Sequence, residues 1–248
     1  MAFGVNERFD FSAPIPAPHA LGAVHFIAIG GSGMSGIASF LHDLGVLVSG
    51  CDGADSASVE RLRAEGIAVS IGHSPEHLTG IDTVVVSSAI PESNPELQQA
   101  RSRGLRILHR AQALASAMGE DTRIAVAGAN GKTTTSAMLA SALRSAGLDP
   151  SFAIGSELVG IERNALRGAG PVFVAEADES DGSFASYHPH LAVVTNVQPD
   201  HLDFYGDFAH VQAAYAAFAA SIPQGGLLVA CADDPGAAHL AAAHRAAG

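Results

Sequence analysis

From about Leu21 onward, apolar runs of strand length alternate with stretches whose apolar residues recur at helical spacing. The runs are VHFIAI, LVSGC, IAVSI, TVVVSSA and RILH, separated by segments such as 33–44 and 95–103. Strands buried on both faces of a sheet read as near-continuous Val/Ile runs, and helices between them force parallel connections. The pattern therefore predicts a Rossmann-like, doubly wound α/β domain over residues 23–119, preceded by a proline-rich lead over residues 1–22. The polar GEDT at 119–122 reads as a linker, after which the alternation restarts. A strand at 123–127, a glycine loop, a helix at 133–146 and the strands PVFVAEA, LAVVTN and GLLVACA predict a second α/β domain over 123–248. The helix at 133–146 is expected to bury Met138, Leu139, Ala142, Leu143 and Ala146 along one face. An alanine-rich helix at 235–247 closes the chain.

The composition narrows the partners. Of 248 residues, 48% are hydrophobic and 15% charged, enough apolar side chain for a sizeable core, and the formal net charge is −12. A field of that sign disfavours nucleic acid and anionic lipid, so the expected partner is a small molecule held in a local pocket. No apolar run reaches the roughly 20 residues needed to cross a bilayer, and the first twenty residues have no long apolar core, so neither signal peptide nor membrane insertion is expected. A cytoplasmic location follows. Cys51 and Cys231 lie far apart and form no metal-ligand spacing; both read as reduced core thiols.

Two glycine loops carry candidate chemistry. The first follows VHFIAI and contains G-x-G-x-x-G as Gly31, Ser32, Gly33, Met34, Ser35 and Gly36, with Asp52 about twenty residues on, at the end of the next strand. Such a loop lets a pyrophosphate approach the backbone at a helix N-terminus. NAD, FAD and a UDP-sugar all present that group, and a turn that merely packs helix on strand has the same look. The second is Gly128, Ala129, Asn130, Gly131, Lys132, Thr133, Thr134, placed between a strand and a helix. Its backbone amides could wrap nucleotide phosphates, with Lys132 on the β/γ-phosphates and Thr133 on Mg²⁺. The loop is a shortened G-x-x-G-K-T, because Val126 stands where the longer pattern has its first glycine. Lys132 is the only lysine in the chain.

Two later strands end in polar clusters. PVFVAEADESDG places Glu176, Asp178, Glu179 and Asp181 past one buried run, and LAVVTNVQPDHLDFY places Asn196, Asp200, His201 and Asp203 past another. In open α/β sheets the carboxyl ends of parallel strands border the crevice, so both clusters could converge on the phosphate loop. Glu176 is the preferred Mg²⁺ ligand, Asp178, Glu179 and Asp181 read as a solvated loop, and His201 serves as a ligand or hydrogen-bond partner.

GGSGMSGIA, SSAIPESNPEL, GANGKTTT, EADESDGSF and TNVQPDHLDFY, in this order, resemble the Mur ligase family, and the likeness runs from about Val24 to Asp234. It is nearest the branch that acts on UDP-N-acetylmuramate and L-alanine, although that branch usually carries Thr and His where this chain has Ala129 and Asn130. A murein-peptide ligase is the alternative within the family. The resemblance implies transfer of the ATP γ-phosphoryl group to the lactyl carboxylate of UDP-N-acetylmuramate, followed by attack of the L-alanine amine on the acyl phosphate. It implies that Lys132 stabilises the transferring phosphate, that Thr133, Glu176 and His201 serve metal, and that Asn196 with His201 helps place the second metal or the acyl phosphate. It further implies a UDP pyrophosphate on 31–36, with Asp52, His73, Ser87, Ser88 and Asn94 lining the substrate. Some relatives use a carbamylated lysine, for which this chain has no spare residue. The second domain is then an incomplete P-loop-type ATPase domain, and the family's third domain has no counterpart in these 248 residues. Two readings compete: a nicotinamide-dependent oxidoreductase built on the first loop and Asp52, and a noncatalytic nucleotide-binding module.

Overall fold

The computed structural model describes residues 6, 8–31 and 33–247. They form two compact units, one comprising Pro14–Gly119 and the other running from Glu120 onward together with the described residues up to Ala13. The proline-rich lead therefore divides. Its second half joins the first unit, where Ser116 donates to the Pro16 carbonyl and Thr83 to the Leu21 carbonyl.

The first unit runs β1 (Val24–Ile27), α1 (Met34–Asp43), β2 (Val48–Asp52), α2 (Ala57–Ala64), β3 (Ala68–Ile71), β4 (Thr83–Val86), α3 (Pro95–Ser102), β5 (Arg106–His109) and α4 (Arg110–Met118). Its sheet has the order β3-β2-β1-β4-β5 and every pairing is parallel. β1 and β4 are buried at every position, as central strands covered on both faces must be. β1 lies between β2 and β4, so the chain switches direction there and a crevice opens past the ends of β1 and β4. Periodicity did not reveal α4, because its residues are buried all round; its start is fixed by a capping box between His109 and Gln112.

The second unit runs β6 (Thr122–Ala127), α5 (Lys132–Ser145), β7 (Ser151–Leu158), β8 (Arg163–Leu166), β9 (Val172–Glu176), β10 (Leu191–Val194), α6 (Leu202–Tyr205), α7 (Phe208–Ala220), β11 (Leu227–Ala230) and α8 (Pro235–Ala247). The sheet order is β11-β10-β6-β9-β7-β8, parallel except for the β7–β8 hairpin. That hairpin was not legible in the sequence: β7 reads SFAIGSEL, with a glycine mid-strand and an irregular register against β8. The core on this side gathers Ile124, Ala140, Phe152, Ile154, Leu158 and Val174, with Leu139 and Leu143 packed against it. The buried stripe of α5 is Ser136 and Ala140. Met138, Ala142 and Ala146 are exposed, which corrects the predicted face by rotating it about the helix axis. Among the described residues, no helix is long and apolar enough to cross a membrane.

Candidate functional site: a phosphate loop with a buried carboxylate

Strand register places the chemistry. Within the second sheet β6 is flanked by β9 and β10, with Val126 opposite Glu176 and Ala127 opposite Val194. The loop leaving β6 therefore emerges between the ends of both neighbours. Gly128 has φ +141, and a Cβ there would lie 2.0 Å from Thr195 Oγ1, so no other residue fits. Thr195 donates to the Asn130 carbonyl at 2.7 Å. Asn196 then holds the same residue from both sides, accepting from Asn130 N at 2.9 Å and donating to its carbonyl at 2.8 Å. The sequence reading gave Asn196, with His201, a part in placing the second metal or the acyl phosphate; in the structure its amide fixes the loop. The side chain of Asn130 reaches Gln198 at 3.4 Å.

Gly131, left-handed at φ 83, opens α5 with no side chain capping it, so the helix N-terminus and its dipole face the space beside the loop. Lys132 Nζ donates to the Gly128 carbonyl at 2.7 Å and pairs with Glu179 Oε1 at 2.9 Å. Thr133 donates to Glu176 Oε1 at 2.9 Å, while the other Glu176 oxygen accepts from Gly155 N at 2.6 Å. Gly155 is required by proximity: a Cβ would sit 2.7 Å from Glu176 Oε2 and 2.9 Å from Thr133 Oγ1. Ala129 is half-buried and Thr134 is exposed at the loop's outer side.

Glu179 overturns its reading as part of a solvated loop. It is 1% exposed, its Oε2 is buried without a hydrogen-bond partner, and Tyr205 donates to its main-chain carbonyl. Burial raises its carboxyl above the ordinary range, against the pull of Lys132. Asp181 is also buried and caps Ser183 N, whereas Asp178 caps Ser180 N. His201 takes a left-handed φ of 50 at the start of α6 and brings Nε2 to 3.8 Å from both Glu179 Oε1 and Asp200 Oδ2. One ligand atom from each of Glu179, Asp200 and His201 lies within 4.8 Å of the others. Asp203 is exposed in the first turn of α6.

In the first unit, Asp52 Oδ2 accepts from Gly30 N at 2.8 Å, so the carboxylate braces the glycine loop from beneath. Gly31 and Ser35 are partly exposed along the loop and Gly36 is buried in α1. Met34 is 2% exposed, so its side chain belongs to the core. Ser32 lies outside the described residues. Gly33 has φ 79, and a Cβ there would be 3.4 Å from Arg110 Nη1, so a guanidinium stands against the loop. Ser88 is exposed and bonds His109 Nε2 at 3.1 Å, with Ser87 half-buried beside it. Asn94 is 6% exposed and its carbonyl oxygen caps Glu96 N and Leu97 N, so it is committed to α3. His73 turns toward Cys51 and Glu96, at 3.1 and 3.3 Å. Sequence reasoning missed Thr195, Gly155 and Arg110, none of which stands in a spacing that marks it, and it named Glu179 without seeing that it turns inward. Of the two cysteines, Cys51 is buried as expected and Cys231 is exposed.

Comparison with known proteins agrees along most of the chain. The family model described as "Mur ligase family, catalytic domain" matches residues 23–122, and "Mur ligase middle domain" matches residues 126–248. The chain is 57% identical over 221 residues to a UDP-N-acetylmuramate-L-alanine ligase of Renibacterium salmoninarum, covering 89% of this chain and 48% of that protein. Against the protein of the same name from Mycobacterium bovis the identity is 51% over 229 residues, covering 90% and 46%. The chain spans about half the length of the curated relatives it matches. Among solved structures, UDP-N-acetylmuramate-alanine ligase from Thermotoga maritima superposes with TM-score 0.78 at 30% identity, covering 88% of this chain and 51% of that one. UDP-N-acetylmuramate:L-alanyl-gamma-D-glutamyl-meso-diaminopimelate ligase from Neisseria meningitides gives TM-score 0.80 at 30% identity, covering 90% and 75%. With two successive models of one family covering residues 23–122 and 126–248, the chain belongs to the Mur ligase family.

Proposed function

We propose that this chain supplies the nucleotide-sugar and ATP sites of a ligase that joins L-alanine to the carboxylate of UDP-N-acetylmuramate through an acyl phosphate. The observation that carries the reading is the phosphate loop: Lys132 and Thr133, consecutive at the start of α5, each engage a glutamate from the end of β9 or just beyond it. A carboxylate is a poor electrophile, and phosphorylation gives it a leaving group. Lys132 would leave the Gly128 carbonyl and follow the γ-phosphoryl group as charge moves onto it. The α5 N-terminus and the loop amides would hold the remaining phosphates, and Asn196 with Thr195 keeps that loop from shifting.

Thr133 and Glu176 fit Mg²⁺, because a hydroxyl and a carboxylate oxygen already meet at 2.9 Å and both are hard donors. Bound there, the ion would neutralise charge on the phosphate oxygens. Glu179, Asp200 and His201 offer a second donor group. In the first unit, the Gly30–Gly36 loop with Arg110 at Gly33 would seat the UDP pyrophosphate, Asp52 holding the loop from below. The names of the relatives at 57% and 51% identity support L-alanine over a murein peptide as the acceptor. The side chain of the unusual Asn130 reaches Gln198, whereas the Asn196 bonds go to its main chain, which any residue there would offer.

Calorimetry with UDP-N-acetylmuramate, NAD and ATP tests the assignment. UDP-N-acetylmuramate should bind without ATP and more tightly than NAD. Equal or tighter NAD binding would revive the oxidoreductase reading. Ligation itself should need the remaining length that the relatives possess. Holding reactants in place can supply roughly 7–11 kcal/mol of a barrier, so robust alanine ligation by these 248 residues alone would overturn that expectation.

A further inference from the structure

The first unit contains a second polar cluster that the ligase reading does not use. Glu96, at the start of α3, is 0% exposed, and four other ionisable side chains point at it. Cys51 Sγ donates to its Oε2 at 2.8 Å, His77 Nδ1 lies 2.6 Å from Oε1, His73 Nδ1 lies 3.3 Å from Oε2, and His25 Nε2 stops at 3.8 Å from Oε1. His25 is 2% exposed and its Nε2 is buried without a hydrogen-bond partner. Its other nitrogen is bonded to Ser49 Oγ at 2.9 Å. The strands explain the convergence: His25 pairs with Ser49 in the β1–β2 register, and Cys51 follows two residues later on the same face.

We infer that His25, Cys51, His77 and Glu96 form a binding site for one divalent transition-metal ion of borderline softness, such as Zn²⁺. One ligand atom from each lies within 4.8 Å of the other three. A tetrahedron with bonds of about 2.0–2.3 Å has edges of roughly 3.3–3.8 Å, so side-chain adjustments of under an ångström would admit the ion. Two imidazoles, a thiol and a carboxylate suit Zn²⁺ and are a poor set for Mg²⁺, which separates this site from any role in phosphate chemistry. Four protein donors leave no open position, as in sites that hold a fold together. Ser49 is the positioning residue: by occupying Nδ1 it aims the His25 Nε2 lone pair into the cluster. His73, in contact with Cys51 and Glu96 and partly exposed, lies on the solvent side, where an ion can enter. On binding, the ion replaces the proton that Cys51 shares with Glu96, a metal–sulfur bond forms, and one proton leaves to solvent.

The test uses the whole chain, stripped with a chelator and titrated with Zn²⁺ or Co²⁺. Calorimetry should give one tight site, and Co²⁺ should give the thiolate charge-transfer absorption that only a cysteine ligand produces. Cys51→Ser should abolish the band and weaken Zn²⁺ binding by at least about a hundredfold, while Cys231→Ser leaves both intact. Ser49→Ala should keep the band but weaken affinity about 10–100-fold. His201→Ala should change nothing at this site, which separates it from the donors beside the phosphate loop. A folded, stripped chain that shows no thiolate band would overturn the proposal, as would a band that survives Cys51→Ser and vanishes in Cys231→Ser.

Discussion

Two buried glutamates, one in each unit, meet the cost of burial in opposite ways. Glu96 is surrounded: burial alone would raise its carboxyl, but the nearby His25 ring and the bonds from Cys51 and His77 outweigh that and hold it down at about 2. Glu179 has one cation, Lys132, and an orphaned second oxygen, and burial wins, raising its carboxyl. The number of donors thus decides which way a buried carboxylate shifts. A carboxylate with both oxygens bonded builds the fold, whereas one with an orphaned oxygen beside a glycine loop is suited to change partners when a ligand arrives.

Replacing Lys132 should give the largest effect. Lys132→Ala removes the only cation, among the described residues, within hydrogen-bonding distance of Glu179 and the group proposed to follow the phosphoryl transfer. In a ligase of the relatives' full length, ligation should fall by about 10²–10³, the usual loss when one electrostatic stabiliser is deleted. UDP-N-acetylmuramate binding to the chain should be unchanged, since the first glycine loop belongs to the other unit. Loss of both binding activities in a folded variant would show that the two loops do not act separately.

The next pair of variants addresses the comparison directly. Glu96→Gln breaks a cluster in which the acceptor is fully buried, and should cost about 3 kcal/mol in denaturant unfolding. Glu179→Gln removes a charge that burial disfavours, leaving Lys132 still bonded to the Gly128 carbonyl, and should stay within about 1 kcal/mol of the parent. Equal losses at the two positions would sink the distinction between them.

Much of this was legible beforehand because it rests on period and punctuation. The buried runs of β1 and β4 name the first, parallel sheet, and the glycines before α1 and α5 name both loops. What the sequence hid depends on register or on side-chain direction. Glu176 was named from its place at a strand end, but the pairing with Val126 that sets it next to the loop is not announced by any spacing. Glu179 lies three residues later in a run of acids, and only the fold shows that it turns inward. His25, Cys51, His77 and Glu96 come from four separate segments; an H-x-x-x-H pattern, His73 to His77, holds only one of the four, and no spacing points to the others. Rotation of the α5 stripe has the same origin: Met138 and Ala142 are apolar, but Ser136 and Ala140 are small enough to face the sheet closely.

Gly155 tests whether close approach at Glu176 matters. A methyl group there would press on Glu176 Oε2 and Thr133 Oγ1 together, and overpacking of that kind costs typically about 1–3 kcal/mol. Gly155→Ala should therefore weaken binding of the magnesium–nucleotide pair by about tenfold, read by calorimetry, without affecting the UDP-sugar. Unchanged nucleotide affinity would remove Glu176 from the proposed metal site.

The smallest effect concerns Asp234, a half-buried carboxylate that contrasts with both buried ones. Its Oδ1 accepts from Ala237 N at 2.8 Å, capping α8, and from Val197 N at 3.0 Å, tying that helix to the segment after β10. Burial is the largest single influence and pushes its carboxyl up, but the main-chain bonds and Gln198 together prevail and lower it. A carboxylate depressed in the folded state stabilises the fold above its unfolded value of about 3.9, and that stability is lost as pH falls through the lower folded value. Asp234→Ala should then cost about 1 kcal/mol at neutral pH, the ordinary value of a helix cap. The difference between variant and parent should shrink as the medium is acidified below about pH 4, because the parent then loses the same charge. A difference that stays constant down to pH 2 would show that Asp234 acts through packing and not through its charge.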